Sequence, residues 1–318
     1  MGLGFLLQQP FAQHALVAAA LVAVSCGLIG PFVVTRAMAF AVHGTAELAF
    51  TGAAAGLLVA NNPVVGALIG AVVVAGLIAL LGTRPRERDS AIGVILAFGM
   101  GIGVLLLGFY HGFATAATNI LFGNIFGVSG SQLIVLLVIG LIVVAVMGIW
   151  YRPLLFASVD PEAAEARGVP VRRLGLLFLI VLALTVTGAA QVVGTLLVLS
   201  LAITPAAAAQ RLSASPLVVA GLSIVFAVVA ADGGLLASFQ TNVKASVFIT
   251  SVSFATYVAA RLTGPLLRDR RRSRHQGHPP CQEATPPRPT AERPGTPVAA
   301  ASPGDGDGSG NPAIRRAG

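Results

Sequence analysis

Four long stretches of this sequence contain no Asp, Glu, Lys or Arg: Met1–Thr35, Leu48–Thr83, Ser90–Tyr151 and Leu174–Gln210. Each is long enough for one or more membrane crossings, which need roughly 20 apolar residues apiece. A soluble core cannot use that much uninterrupted apolar chain, since a helix facing water needs a polar side. With 56% of residues hydrophobic and only 10% charged, the charges are confined to a few short windows. The chain is therefore expected to be an all-α polytopic membrane protein.

The windows of positive charge set the orientation, because Arg-rich short loops stay in the cytoplasm. Arg36, the cluster Arg84, Arg86 and Arg88, the group Arg152, Arg167, Arg172 and Arg173, then Arg211 and Arg261 mark one side. The first 35 residues carry no such charge, which places the N-terminus outside and argues against a cleaved signal peptide. An even number of crossings must separate successive marks. Spans are predicted at 15–35, 45–60, 63–82, 91–110, 132–150, 174–189, 192–209, 216–236 and 245–263, with a hairpin near Gly188–Gly194. The stretch 45–60 is short and is followed by Asn61-Asn62-Pro63, so it is a candidate re-entrant element. The expectation is eight or nine transmembrane helices, N-terminus outside and C-terminus cytoplasmic. The Gly-, Asn- and Thr-rich segment 112–131 falls outside, as an external loop or a second re-entrant piece.

One window reads as a small capped helix. In Asp160-Pro-Glu-Ala-Ala-Glu-Ala-Arg-Gly168, Asp160 suits an N-cap and Pro161 the first helical position. Glu162 and Glu165 lie near the positive end of the helix dipole, and Gly168 can close the C-terminus. The spacing predicts about two turns of soluble helix. An ordinary inter-span loop has the same local signals.

Ionisable groups inside apolar spans are costly and mark function by default. His43 and Glu47 are four apart, on one face of a predicted helix. Imidazole and carboxylate are shared ligands of first-row divalent metals, but two ligands do not complete a site. The structural alternative for the pair is a mutual hydrogen bond, or snorkelling toward the span end near Arg36. Asp232, beside Gly233-Gly234, is the third intramembrane charge, and a buried, hydrogen-bonded carboxylate is expected there. His111 is expected to be interfacial, and His275 and His278 solvent-exposed.

Beyond Gly264 come ten prolines, many Gly and Ser, and the run Arg268, Arg270, Arg271, Arg272 and Arg274. Residues 264–318 are expected to be a disordered basic tail whose start anchors beside anionic lipid, without nucleic-acid binding. Cys26 in a span and Cys281 in the tail support neither a disulfide framework nor a cysteine metal cluster.

Six pieces in order resemble the permease subunits of ATP-binding-cassette importers for manganese, zinc and iron, over about residues 15–263. They are Arg36-Ala-Met-Ala-Phe40, Asp89-Ser-Ala-Ile-Gly93, Leu121-Phe-Gly-Asn-Ile125, Asp160-Pro-Glu162 with Gly168-Val-Pro170, Gln191-Val-Val-Gly194 and Thr204-Pro-Ala-Ala207. The resemblance implies that Asp160–Gly168 docks in a groove of a cytoplasmic ATPase, with Asp160, Pro161, Glu162, Glu165, Gly168 and Arg172 at the contact. It also implies a metal path. Where the family carries Asp and then His four residues later, this chain has His43 and Glu47, swapped in type, and Val42 replaces the preceding Gly. His43, Glu47 and Asp232 are the candidate metal residues, with further ligands from a second permease copy or water.

The chain has no Gly-x-x-x-x-Gly-Lys-Ser/Thr phosphate loop, and its one lysine is Lys244. The resemblance therefore implies a transporter subunit of a bacterial cytoplasmic membrane, with no bound cofactor of its own and ATP on a separate subunit. It also implies an extracytoplasmic metal-binding protein, docking on loops 61–63, 112–131 and 237–244. Three other readings compete: importer of a metal chelate or small cofactor, a proton-driven transporter using Glu47 and Asp232, and a non-transporting scaffold.

Overall fold

The charge-free runs fold into helix throughout. The computed structural model describes residues 9–81, 85–109, 123, 125–241 and 243–275. Residues Met1–Ser273 form one unit and Arg274–Gly318 a second. The helices, which lie in the first unit except for the last two residues of the final one, are α1 (Pro10–Thr35), α2 (Ala39–Ala60), α3 (Pro63–Leu81), α4 (Pro85–Gly108), α5 (Gly130–Val159), α6 (Pro161–Ala166), α7 (Val171–Val193), α8 (Thr195–Leu212), α9 (Pro216–Phe239) and α10 (Ala245–His275), with a 3₁₀ turn at Ile125–Gly127. The described residues contain no strand. Among the described residues, eight helices are long and apolar enough to cross a membrane.

The helices run back and forth between two ends, fixed by a few long-range contacts. At one end Arg36, just past α1, donates to Ser158 in the last turn of α5. Gln210 of α8 donates to Thr35, and Gly264 of α10 packs on the backbone of Arg211. Leu80 of α3 lines a cavity with Glu165 and Arg172. At the other end Phe239 of α9 meets Phe11 of α1 and Phe126 of the 3₁₀ turn, and Gly123 lies against Gly194. Thus Arg36, Arg152, Arg167, Arg172, Arg173, Arg211 and Arg261 all belong to one end, the basic end, as the parity of charges requires. Arg84 lies outside the described residues.

The hairpin expected near Gly188–Gly194 turns at a single residue, Gly194, at φ 99°. A side chain there would be strained in a conformation that L-residues rarely adopt. The tightest pair is α2 with α3. Asn61, left-handed at φ 51°, ends α2, and the Asn62 side chain accepts from the Val65 N–H at 3.2 Å to cap α3. A Cβ on Gly66 would sit 2.4 Å from the Gly52 carbonyl oxygen and 2.5 Å from the Gly56 Cα, so only glycine permits this crossing.

Large apolar side chains face outward on α3, α4, α5 and α10, among them Val73, Phe98, Leu141 and Phe254. In a membrane these faces meet lipid tails and carry no cost of exposure to water.

Two details differ from the sequence expectation. The 45–60 stretch is not the short element: α2 has 22 residues, starting at Ala39. The shorter element is α8, whose 18 residues compare with 19 in α3. The polar pair His43 and Glu47 hid the first turns of α2, because they lie inside the helix and do not precede it. At the far end, α10 continues as helix to His275, past the residue 263 expected to close the last span. The remaining tail, with Cys281 and His278, lies outside the described residues, as do His111 and most of segment 112–131.

Candidate metal path and docking helix

α2 carries the candidate pair. It begins after a left-handed turn: Ala37 has φ 51°, the Ala37 N–H reaches the Val34 carbonyl and the Met38 N–H the Val33 carbonyl. An alanine in that conformation costs about 1 kcal/mol. The continuous helix then places His43 and Glu47 one turn apart on one face. Glu47 is 5% exposed, the one acidic or basic side chain among the described residues that is fully buried. It lies eight residues into α2, about 12 Å from Ala39 along the axis, at mid-depth in the bundle. His43 is half-buried, with its ring 6.5 Å from Phe40.

Asp232 does not join this pair. It stands in α9, which packs on α1 and α8, whereas α2 packs on α3, α4, α7 and α8. Among the described residues no three His, Cys, Asp or Glu side chains gather as a metal-holding group. The hydrogen-bonded carboxylate expected at Asp232 is also not found for Oδ1, which is buried without a partner. α9 runs unbroken through Gly233-Gly234.

Beyond Glu47, toward the end opposite the basic one, the same face of α2 lines a cavity of about 300 Å³. Phe50, Ala53 and Leu57 of α2 form one wall, and Gln132 of α5, Thr187 and Gln191 of α7 and Thr195 of α8 supply polar side chains. Gln132 Nε2 donates to Gln191 Oε1 at 3.3 Å. The Gln191 Nε2 and Thr187 Oγ1 atoms are buried with no protein partner among the described residues. These atoms can bond only to something inside the cavity, water being the simplest occupant. In the sequence Gln191 stands out only as part of a motif, and Gln132 and Thr187 do not stand out at all; their signal is polar residues at facing depths in two charge-free spans.

At the basic end, α6 follows α5 without a loop. The Asp160 carboxylate accepts from the Ala163 N–H at 2.9 Å, with Pro161 in the first turn. Gly168 at φ 79° closes the helix. Its N–H reaches the Glu165 carbonyl and the Val169 N–H the Ala164 carbonyl, at 2.9 and 3.0 Å, which satisfies the last carbonyls. Ala164 is buried beneath, while Glu162, Glu165, Arg167 and Arg172 are exposed. The Arg167 guanidinium lies over the Phe156 ring at 5.7 Å. The end of α3 and the start of α7 border α6 with a cavity of about 730 Å³.

Eight membrane-length apolar helices, an acid buried at mid-depth and a capped helix held outside the spans define a multi-pass membrane permease. The chain belongs to the ABC 3 transport family, whose model matches residues 8–264. It is 33% identical over 261 residues to the manganese transport system membrane protein MntC of Halalkalibacterium halodurans, covering 82% of this chain and 89% of that one. It is 28% identical over 226 residues to the high-affinity zinc uptake system membrane protein ZnuB of Haemophilus influenzae, covering 70% and 87%. Among solved structures it is similar to PsaBC from Streptococcus pneumoniae, seen there in complex with Fab. That match has a TM-score of 0.76 and 27% identity, over 85% of this chain and 98% of the other.

Proposed function

We propose that this chain is the membrane-spanning subunit of an ATP-driven importer of a divalent transition metal, manganese or zinc, working by alternating access. The observation that carries the reading is Glu47, a carboxylate buried at mid-depth one helical turn from an imidazole. A lone acid in that setting is expensive unless a cation or proton meets it. The names of the relatives favour the metal.

His43 and Glu47 are the ligands from this copy. Because two ligands leave manganese or zinc unsaturated, a second copy of the permease and water complete the site. The basic end is cytoplasmic by the charge rule, which puts the N-terminus outside. There α6, with Glu162, Glu165 and Arg172, seats in a groove of a separate ATPase subunit, where hydrolysis takes place. At the opposite end the loops at 61–63, 112–131 and 237–244 receive an extracytoplasmic metal-binding protein. The basic run that begins the tail, Arg268 to Arg274, anchors beside anionic lipid.

The test is multi-element accumulation in cells lacking their own metal importers, expressing the chain with its ATPase and binding protein. Selective gain of manganese or zinc, absent with Glu47→Ala, supports the reading. No gain of any free metal refutes it.

A further inference from the structure

Arg36 joins three helices at the basic end. Its Nε donates to the Ser158 Oγ at 2.7 Å and its Nη2 to the Leu154 carbonyl at 3.4 Å, both in the last turns of α5. Its guanidinium also lies over the Phe178 ring of α7 at 5.1 Å. Phe178 in turn packs on Phe32 of α1, with ring centroids 6.1 Å apart, and Phe32 stands edge-on to Tyr151 of α5 at 5.4 Å. The same Leu154 carbonyl accepts from the Ser158 hydroxyl, so arginine, serine and carbonyl close one small ring of hydrogen bonds.

The position of this cluster gives it a consequence beyond packing. Ser158 is two residues before Asp160, the cap of α6, and Phe178 lies on α7, the helix that leaves α6. Arg36 is followed by Ala37, held left-handed at φ 51°, and two residues later α2 begins, with His43 in its second turn. Backbone strain of this kind persists where the surroundings hold it and is typical of joints that move. A planar guanidinium that both bonds and stacks fixes direction as well as distance, which an ammonium does not.

We propose that Arg36 is a positioning residue that carries displacement of the α6 end of α5 and α7 into a tilt of α2, and so moves His43 and Glu47. The proposal rests on the importer reading above. Arg36 touches neither metal nor nucleotide; it acts through Ser158 and Phe178 on one side and through Ala37 on the other.

The experiment uses the full chain assembled with its ATPase and binding protein, in a Cys281→Ser background. A spin label is placed at Val59→Cys, an 89% exposed position at the far end of α2. Cys26 is buried and stays unlabelled. In the otherwise unmodified chain, addition of ATP changes the label's spectrum. With Arg36→Gln the complex still co-purifies, the ATP-dependent change disappears, and metal uptake falls by roughly tenfold, a common strength of coupling between sites. Arg36→Lys lies between the two. Ser158→Ala and Phe178→Leu, each removing one contact, give partial losses and serve if Arg36→Gln does not assemble. An Arg36→Gln complex that responds to ATP and takes up metal like the unmodified chain overturns the proposal. So do full responses in both single-contact variants. Absence of any ATP response in the unmodified chain overturns the importer reading, and this proposal with it.

Discussion

The amide nitrogen of Gln132 donates to the amide oxygen of Gln191 across 3.3 Å, joining α5 to α7 at the cavity wall. Truncating Gln132 to alanine takes from the Gln191 amide its one protein partner among the hydrogen bonds at the cavity, its Nε2 already having none. The expected loss is about 1–3 kcal/mol, read as a lower thermal unfolding midpoint of the detergent-solubilised protein. Replacing both glutamines with leucine restores most of it, because an apolar pair leaves nothing unpaired.

Glu47→Ala removes the buried carboxylate and is expected to abolish accumulation of manganese or zinc while the chain still co-purifies with its ATPase. His43→Ala weakens accumulation in the same direction. Uptake at wild-type level in both variants, measured by elemental analysis of cells, would discard the pair as the metal site.

Glu162→Arg reverses a charge on the exposed face of α6 and is expected to release the ATPase in pull-down while leaving the fold intact. Asp160→Ala acts differently: it removes the cap on Ala163 and destabilises α6 by about 1 kcal/mol. Its ATPase binding is weakened, with a midpoint in titration shifted and not lost.

Gly66 and Gly76 lie on the same helix and give opposite results. At Gly66 an added methyl meets the backbone of α2 at 2.4 Å, whereas at Gly76 nothing lies within 4 Å. Gly66→Ala is expected to cost about 1–3 kcal/mol by forcing the helices apart. Gly76→Ala is expected to be neutral or stabilising by up to about 1 kcal/mol. Thermal unfolding of the two variants side by side decides the matter.

What the sequence disclosed was local or statistical. The charge-free runs gave the helices, the arginines gave the common end, and Asp160, Pro161 and Gly168 gave the cap, start and close of α6, each from chemistry within a few residues. What it concealed depends on pairs far apart in the chain. Arg36 and Ser158 are 122 residues apart, and Gln132 and Gln191 are 59 apart, so no periodicity relates them. Asp232 looks equivalent to Glu47 in sequence because both are acids in apolar runs; only the packing of α9 against α1 separates them. The length of α2 is not legible from polarity, because the boundary at its start is a backbone turn at Ala37 and not a polar residue.

α5 is 30 residues long, about 45 Å at 1.5 Å per residue, against roughly 30 Å for the hydrocarbon layer. Trp150, Tyr151 and Arg152 are the residue types that settle at a membrane interface. The helix from there to Val159 reaches about 13 Å further. A headgroup layer takes up about 5–7 Å of that reach, so α6 clears the hydrocarbon and stands just beyond the headgroups. The overlength of α5 is in this way a stalk that lifts Glu162 and Glu165 out of the lipid, and shortening it by one turn, about 5 Å, would sink this landing platform among the headgroups.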